Sequence, residues 1–137
     1  MKKIVIGLVG SGKTTLYRKL NESGQCYAVE MEFPPSFRNN FESEKEKIFK
    51  IFLSCKGVDC IISHPMYLPK NFEKFLKKDV VIEFLDIDLQ ERKSRIKKRS
   101  MQTFNGENNC IIFDESFLSQ EEELLKKIKQ QVLKNGR

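Results

Sequence analysis

Residues 7–14, Gly-Leu-Val-Gly-Ser-Gly-Lys-Thr, follow directly on the run Lys2-Lys3-Ile4-Val5-Ile6 and lead into a segment with Leu16 and Leu20 four apart. A short β-branched run ending in glycine reads as a buried strand meeting a tight turn. An apolar pair four residues apart marks one face of a helix. The chain is therefore committed from its start to strand, glycine loop, helix. The loop matches the pattern G-x-x-x-x-G-K-S/T in full. Its glycines let the backbone wrap phosphates with N–H groups turned inward, its lysine reaches the β- and γ-phosphates, and its hydroxyl takes magnesium. The helix opening near Lys13 adds the positive end of its dipole. These residues give a nucleoside triphosphate site, with ATP and Mg2+ as the expected cofactors. Gly7, Val9, Gly10, Ser11, Gly12, Lys13, Thr14 and Thr15 would bind ATP, with Lys13 as the catalytic cation and Thr14 as the metal ligand. The plain alternative is a glycine-rich turn that merely joins strand to helix.

At 137 residues, 39% of them hydrophobic, the chain has the size of one domain. Further short apolar runs at 26–30, 58–63, 80–85 and 110–113 read as strands. Helices are expected between them. One at 42–55 starts from a Ser43-x-x-Glu46 capping box and carries Ile48, Ile51, Phe52 and Cys55 on one side. A short one holds Phe72, Phe75 and Leu76. A strongly basic one starts from Asp88-x-x-Glu91 and runs to about Arg99. The last opens at Ser119-x-x-Glu122 and carries Leu124, Leu125, Ile128 and Val132. Residues 31–41, with Pro34-Pro35 and Asn39-Asn40, and residues 101–109 read as irregular. Continuous apolar strands alternating with helices predict a single-domain, three-layer α/β fold: a five-stranded parallel sheet with helices on both faces.

The formal net charge of +6 favours anionic partners, whether nucleotide, phosphorylated metabolite or nucleic acid. Cys26, Cys55, Cys60 and Cys110 form no C-x-x-C pair and there is one histidine, which argues against a structural zinc site. Three of the four lie in apolar runs, as buried reduced thiols of a cytoplasmic protein would. The apolar start is broken by Gly7, Gly10 and Gly12, so it does not read as a signal peptide. No apolar run approaches the roughly 18 residues of a membrane span.

Further along, Val81-Ile82-Glu83-Phe84-Leu85-Asp86 is followed by Arg92 and by Arg95-Ile96-Lys97-Lys98-Arg99, and Cys110-Ile111-Ile112-Phe113-Asp114 precedes the closing helix. Taken in order with the phosphate loop, these segments resemble the small P-loop kinases of the nucleoside and nucleotide kinase group, which includes adenylate, shikimate, gluconate and deoxynucleoside kinases. The resemblance implies a P-loop NTPase fold across 1–137, an acceptor-binding region at 31–57 and a lid at 92–109. It implies that Arg95 packs on the adenine and Arg99 reaches the phosphates. It also implies that a carboxylate just after the second strand, Glu30 or Glu32, accepts the proton of the attacking hydroxyl or holds the acceptor. Arg38 is then a candidate grip on an acceptor phosphate.

Arg92, Arg95 and Arg99 are spaced to share one helical face, where phosphoryl transfer needs positive charge and exclusion of water. A solvated basic face is the alternative. Surface glutamates at a strand end and a loop arginine are the corresponding alternatives for Glu30, Glu32 and Arg38. His64 stands at the carboxyl end of the third strand, where parallel sheets place ligands, and is either an acceptor contact or a loop residue. One departure from the family is plain: the third strand ends in Ser63-His64-Pro65, with no carboxylate for the magnesium shell.

The sequence thus predicts an ATP-dependent phosphotransferase acting on a small molecule, with a nucleoside or nucleotide as the expected acceptor. A polynucleotide 5′-hydroxyl kinase is a second reading, although the absence of tryptophan leaves base stacking poorly supported. A non-catalytic ATP-binding regulatory module is a third.

Overall fold

The computed structural model describes residues 2–24, 26–31, 41–102 and 115–136, and the side chains of residues 41, 99–102 and 115 lie outside that description. Four strands, β1 (Lys3–Gly7), β2 (Ala28–Met31), β3 (Cys60–Ser63) and β4 (Val81–Leu85), pair in the order β2-β3-β1-β4, every pairing parallel. The helices are α1 (Lys13–Glu22), α2 (Phe41–Ser54), α3 (Leu89–Gln102) and α4 (Glu115–Lys134), with 3-10 turns at Pro65–Tyr67 and Phe72–Phe75. The described sheet has four strands where the sequence predicts five, because the fifth, at 110–113, falls outside the described residues.

Strand alternation sends the two sets of side chains to opposite faces. Ile4 and Ile6 of β1 and Ile61 of β3 join Phe49 of α2, Phe72, and Leu125, Ile128 and Val132 of α4 in the larger core. Val5, Cys60 and Ile62, one residue out of phase, join Ala28 and pack against Leu16, Tyr17 and Leu20 of α1. Helices on both faces make the three layers that continuous apolar strands require. Within the larger core, Phe49 meets Phe72 edge-on at 6.1 Å between ring centres.

Element boundaries differ from the sequence reading for identifiable reasons. β2 starts at Ala28 rather than at 26: the N–H of Tyr27 goes to the Asp59 side chain at 2.9 Å instead of to a strand, and the side-chain amide of Asn21 brackets Ala28, accepting from its N–H at 2.9 Å and donating to its carbonyl at 3.1 Å. Ser43 and Ser119 lie inside α2 and α4, so neither anticipated capping box marks a helix start. Of the cysteines, Cys60 is buried and Cys26 half-buried, but Cys55 at the end of α2 is exposed, contrary to the expectation of buried thiols. No helix among the described residues is long and apolar enough to cross a membrane.

The register brings the strand ends together. Met31 and Ile6 both pair with Ser63, and Gly7 pairs with Leu85, so the carboxyl ends of all four strands form one row. The phosphate loop leaves from the end of β1, the centre of that row.

Candidate active site

Gly10 and Gly12 carry the loop through left-handed backbone, φ 80° and 97°, which glycine adopts without the penalty a Cβ imposes. Gly12 is also the N-cap of α1, and no described side chain caps the helix there. Orphan N–H groups of the first turn, together with the dipole of α1, favour an anion at that end. Inside the loop the N–H of Ser11 donates to the carbonyl of Leu8 at 3.1 Å. Among the described residues, the Ser11 hydroxyl is buried without a hydrogen-bond partner. Such an orphan costs about 1–3 kcal/mol, a cost that a ligand oxygen in the loop would remove. Lys13 donates its ammonium to the carbonyl of Leu8 at 2.8 Å, holding the charge over the loop. These features fit a bound polyphosphate.

Two other predicted residues meet the loop. Glu30, the penultimate residue of β2, has a carboxylate oxygen 3.4 Å from the hydroxyl of Thr14. Hydroxyl and carboxylate oxygens are the hard donors that Mg2+ takes, and that ion is held by one or two carboxylates while substrate phosphates and water complete its shell. Arg95 lays its guanidinium across the loop, donating to the carbonyl of Gly10 at 3.3 Å and pairing with Glu91 of the preceding turn at 3.2 Å. Thr15 is exposed on α1. Glu32 and Arg38 lie outside the described residues, as do the side chain of Arg99 and residues 103–109 of the anticipated lid.

His64 and Arg92 have a different setting from the one the sequence suggested. Neither lies on an open surface: Arg92 is 1% exposed and His64 5%. His64 accepts from the N–H of Met66 through Nδ1 at 3.0 Å, so the proton sits on Nε2, which is bonded to Oε2 of Glu121 in α4. Both ring nitrogens are thereby committed within the protein. Arg92 donates from Nη2 to Oε1 of Glu121 at 2.7 Å, from Nη1 to Glu122 at 2.5 Å, and from Nε to the carbonyl of Val9 at 2.9 Å. Glu121 also accepts from the N–H of Val9 at 3.2 Å. Burial pushes the Glu121 carboxyl up, but hydrogen bonds from His64 and Val9 and the charge of Arg92 more than offset it and hold the group below its ordinary value. The α3 backbone backs closely onto the loop, since a Cβ at Gly10 would stand 3.3 Å from the carbonyl oxygen of Arg92.

Glu121 did not figure in the sequence reading, and Glu122 figured only as part of the Ser119-x-x-Glu122 capping box. A signal for Glu121 exists: buried residues on α4 fall at Leu118, Glu121, Leu125, Ile128 and Val132, so a carboxylate stands in phase with the apolar stripe. Such a residue in a core position calls for a buried cation. Arg92 answers it from the same phase of α3 as buried Ile96.

No protein-family model matches the chain, and no curated protein does. Among solved structures, the fold is similar to that of a shikimate kinase from Acinetobacter baumannii in complex with shikimate, with a TM-score of 0.60 and 18% sequence identity. The match covers 91% of this chain and 74% of the other. The protein therefore has the fold of the P-loop kinase group, which the sequence resembles.

Proposed function

We propose that the protein is an ATP-dependent phosphotransferase whose acceptor is a small hydroxylated molecule. The observation that carries this reading is the meeting of Glu30 with Thr14 at the mouth of a complete phosphate loop. A loop that only joined strand to helix has no need of a carboxylate from a different strand at its metal-binding hydroxyl. In this reading Lys13 and the amides opening α1 stabilise the charge spread over the transferring phosphoryl group. Bound magnesium would neutralise charge shared by the β- and γ-phosphates, with Thr14 and Glu30 as its protein oxygens. Glu30 thereby supplies the carboxylate that β3, ending in Ser63, does not. Glu32, two residues on, is left to orient the acceptor hydroxyl and take its proton, with Arg38 as a grip on an acidic acceptor. Arg95 and Arg99 complete the donor side and keep water from the γ-phosphate.

The sequence favours a nucleoside or nucleotide acceptor, whereas the similar structure holds shikimate, a polyhydroxylated carboxylate. A panel of nucleosides, nucleotides, sugars and hydroxy acids, incubated with protein, ATP and Mg2+ and read by mass spectrometry, tests the reading. A phosphorylated product formed by the wild type and not by Lys13→Met supports it. No product across the panel, with ATP nevertheless bound tightly, supports the non-catalytic module instead.

A further inference from the structure

We propose that Arg92 and Glu121, with His64 behind them, are positioning residues of the phosphate loop: they fix the backbone at Val9 and thereby set the loop for phosphate. The inference rests on the nucleotide-site reading above.

The geometry is specific to one residue. Val9 is held on both sides of its Cα, its N–H by Glu121 at 3.2 Å and its carbonyl by Arg92 at 2.9 Å. With the peptide units before and after it both fixed, φ and ψ at Val9 are set by α3 and α4 rather than by the loop itself. The N–H of Val9 is spent on Glu121, so its role at the loop is to orient, and an anion at the end of α1 meets the amides of the first helical turn. His64 directs Nε2–H to the same carboxylate oxygen that Val9 uses, and its other nitrogen is locked by Met66. Every oxygen of Glu121 is thereby engaged.

Stability alone does not call for this arrangement. Buried ion pairs are often replaced by apolar side chains of similar volume with no loss of stability, because desolvation offsets the attraction. What an apolar pair lacks is a donor for the Val9 carbonyl and an acceptor for its N–H. The charges also matter in sign. Glu121 and Glu122 set two carboxylates behind a loop meant for polyphosphate, and the single charge of Arg92, bonded to both, offsets one of them.

The test is the double variant Arg92→Leu/Glu121→Met, compared with wild type for thermal melting and for MgATP affinity by calorimetry well below the melting temperature. The expected result is a cooperative melt at a lowered temperature, because the Val9 N–H and carbonyl and the His64 Nε2–H lose their partners, with affinity weakened roughly tenfold or more by the misplaced loop. Affinity equal to wild type in the folded double variant overturns the inference while leaving the nucleotide site intact. Wild type that does not bind MgATP overturns the site and the inference together. If the double variant does not fold, amide NMR of the wild type decides. On MgATP titration the Val9 resonance should stay in place and remain protected from exchange while those of Lys13 and Thr14 move. A Val9 shift as large as theirs overturns the inference.

Discussion

The hydroxyl of Thr14, in the first turn of α1, lies 3.4 Å from a carboxylate oxygen of Glu30 at the end of β2. The two are sixteen residues apart, and the sheet brings them together because β2 and β1 both run toward the same edge through β3. Glu30→Gln keeps the size of the side chain and removes the charge. Transfer rate should fall about 10–100-fold and the Mg2+ concentration for half-maximal rate should rise, since loss of a group that holds or orients the metal costs about that much. The melting temperature should not change, because Glu30 is only half-buried. A magnesium titration of the rate, run on both proteins, checks this; identical curves would remove Glu30 from the site.

Lys13 gives a second, sharper test of the donor side. Its ammonium already sits over the loop, 2.8 Å from the Leu8 carbonyl. Lys13→Met should lower the transfer rate by roughly 10²–10³, the cost of deleting one preorganised electrostatic contact. It should also abolish the rise in melting temperature that saturating ATP gives wild type, since a ligand stabilises only the state that binds it. Thermal melts with and without nucleotide report this without any knowledge of the acceptor.

The loop, Lys13 and Thr14 were legible in the sequence because they are contiguous, and β1 was legible because buried parallel strands are continuous apolar runs. Glu30 was legible as a strand-end carboxylate, but its partner was not. The buried cluster was illegible for a different reason. His64 lies 57 residues from Glu121, and Val9 lies 112 from it, so no local pattern relates them. Arg92 and Arg95 look alike in a basic helix, yet one faces the core beside Ile96 and the other crosses the loop. Spacing gives a shared face and does not say what that face meets. Two of the three capping boxes, at Ser43 and Ser119, failed similarly, whereas Asp88 does stand directly before α3: in α2, first-turn Glu42 accepts from the N–H of Lys70, a contact 28 residues away that no local pattern shows.

Glu121 links the cluster to acid stability. Its carboxyl titrates below its ordinary value of 4.5 in the folded protein. The unfolded chain therefore takes up the proton first as pH falls, and the stabilisation that is fully present above about pH 4.5 is lost as pH drops through the folded value. Urea unfolding measured from roughly pH 5 down to 3 should show stability falling steeply in wild type and less steeply in Glu121→Gln, which has no carboxylate to protonate. Equal slopes in the two proteins would mean that other carboxylates, such as Glu42, which is also lowered, dominate acid unfolding.

The cysteines test the packing of β3 independently of any ligand. Cys60 sits between α1 and the sheet, and burial pushes its thiol up to about 11. Cys55, five residues earlier at the end of α2, is exposed. Thiolate is the reactive species, so at pH 8 only about one in 10³ of Cys60 would be ionised even if reagent reached it. N-ethylmaleimide should therefore modify Cys55 rapidly in the native protein and Cys60 only when denaturant opens the sheet. Peptide mapping of the labelled protein distinguishes the two sites. Cys60 labelled as fast as Cys55 without denaturant would mean that α1 does not cover β3, and with it the footing of the helix that carries Lys13 and Thr14 would be lost.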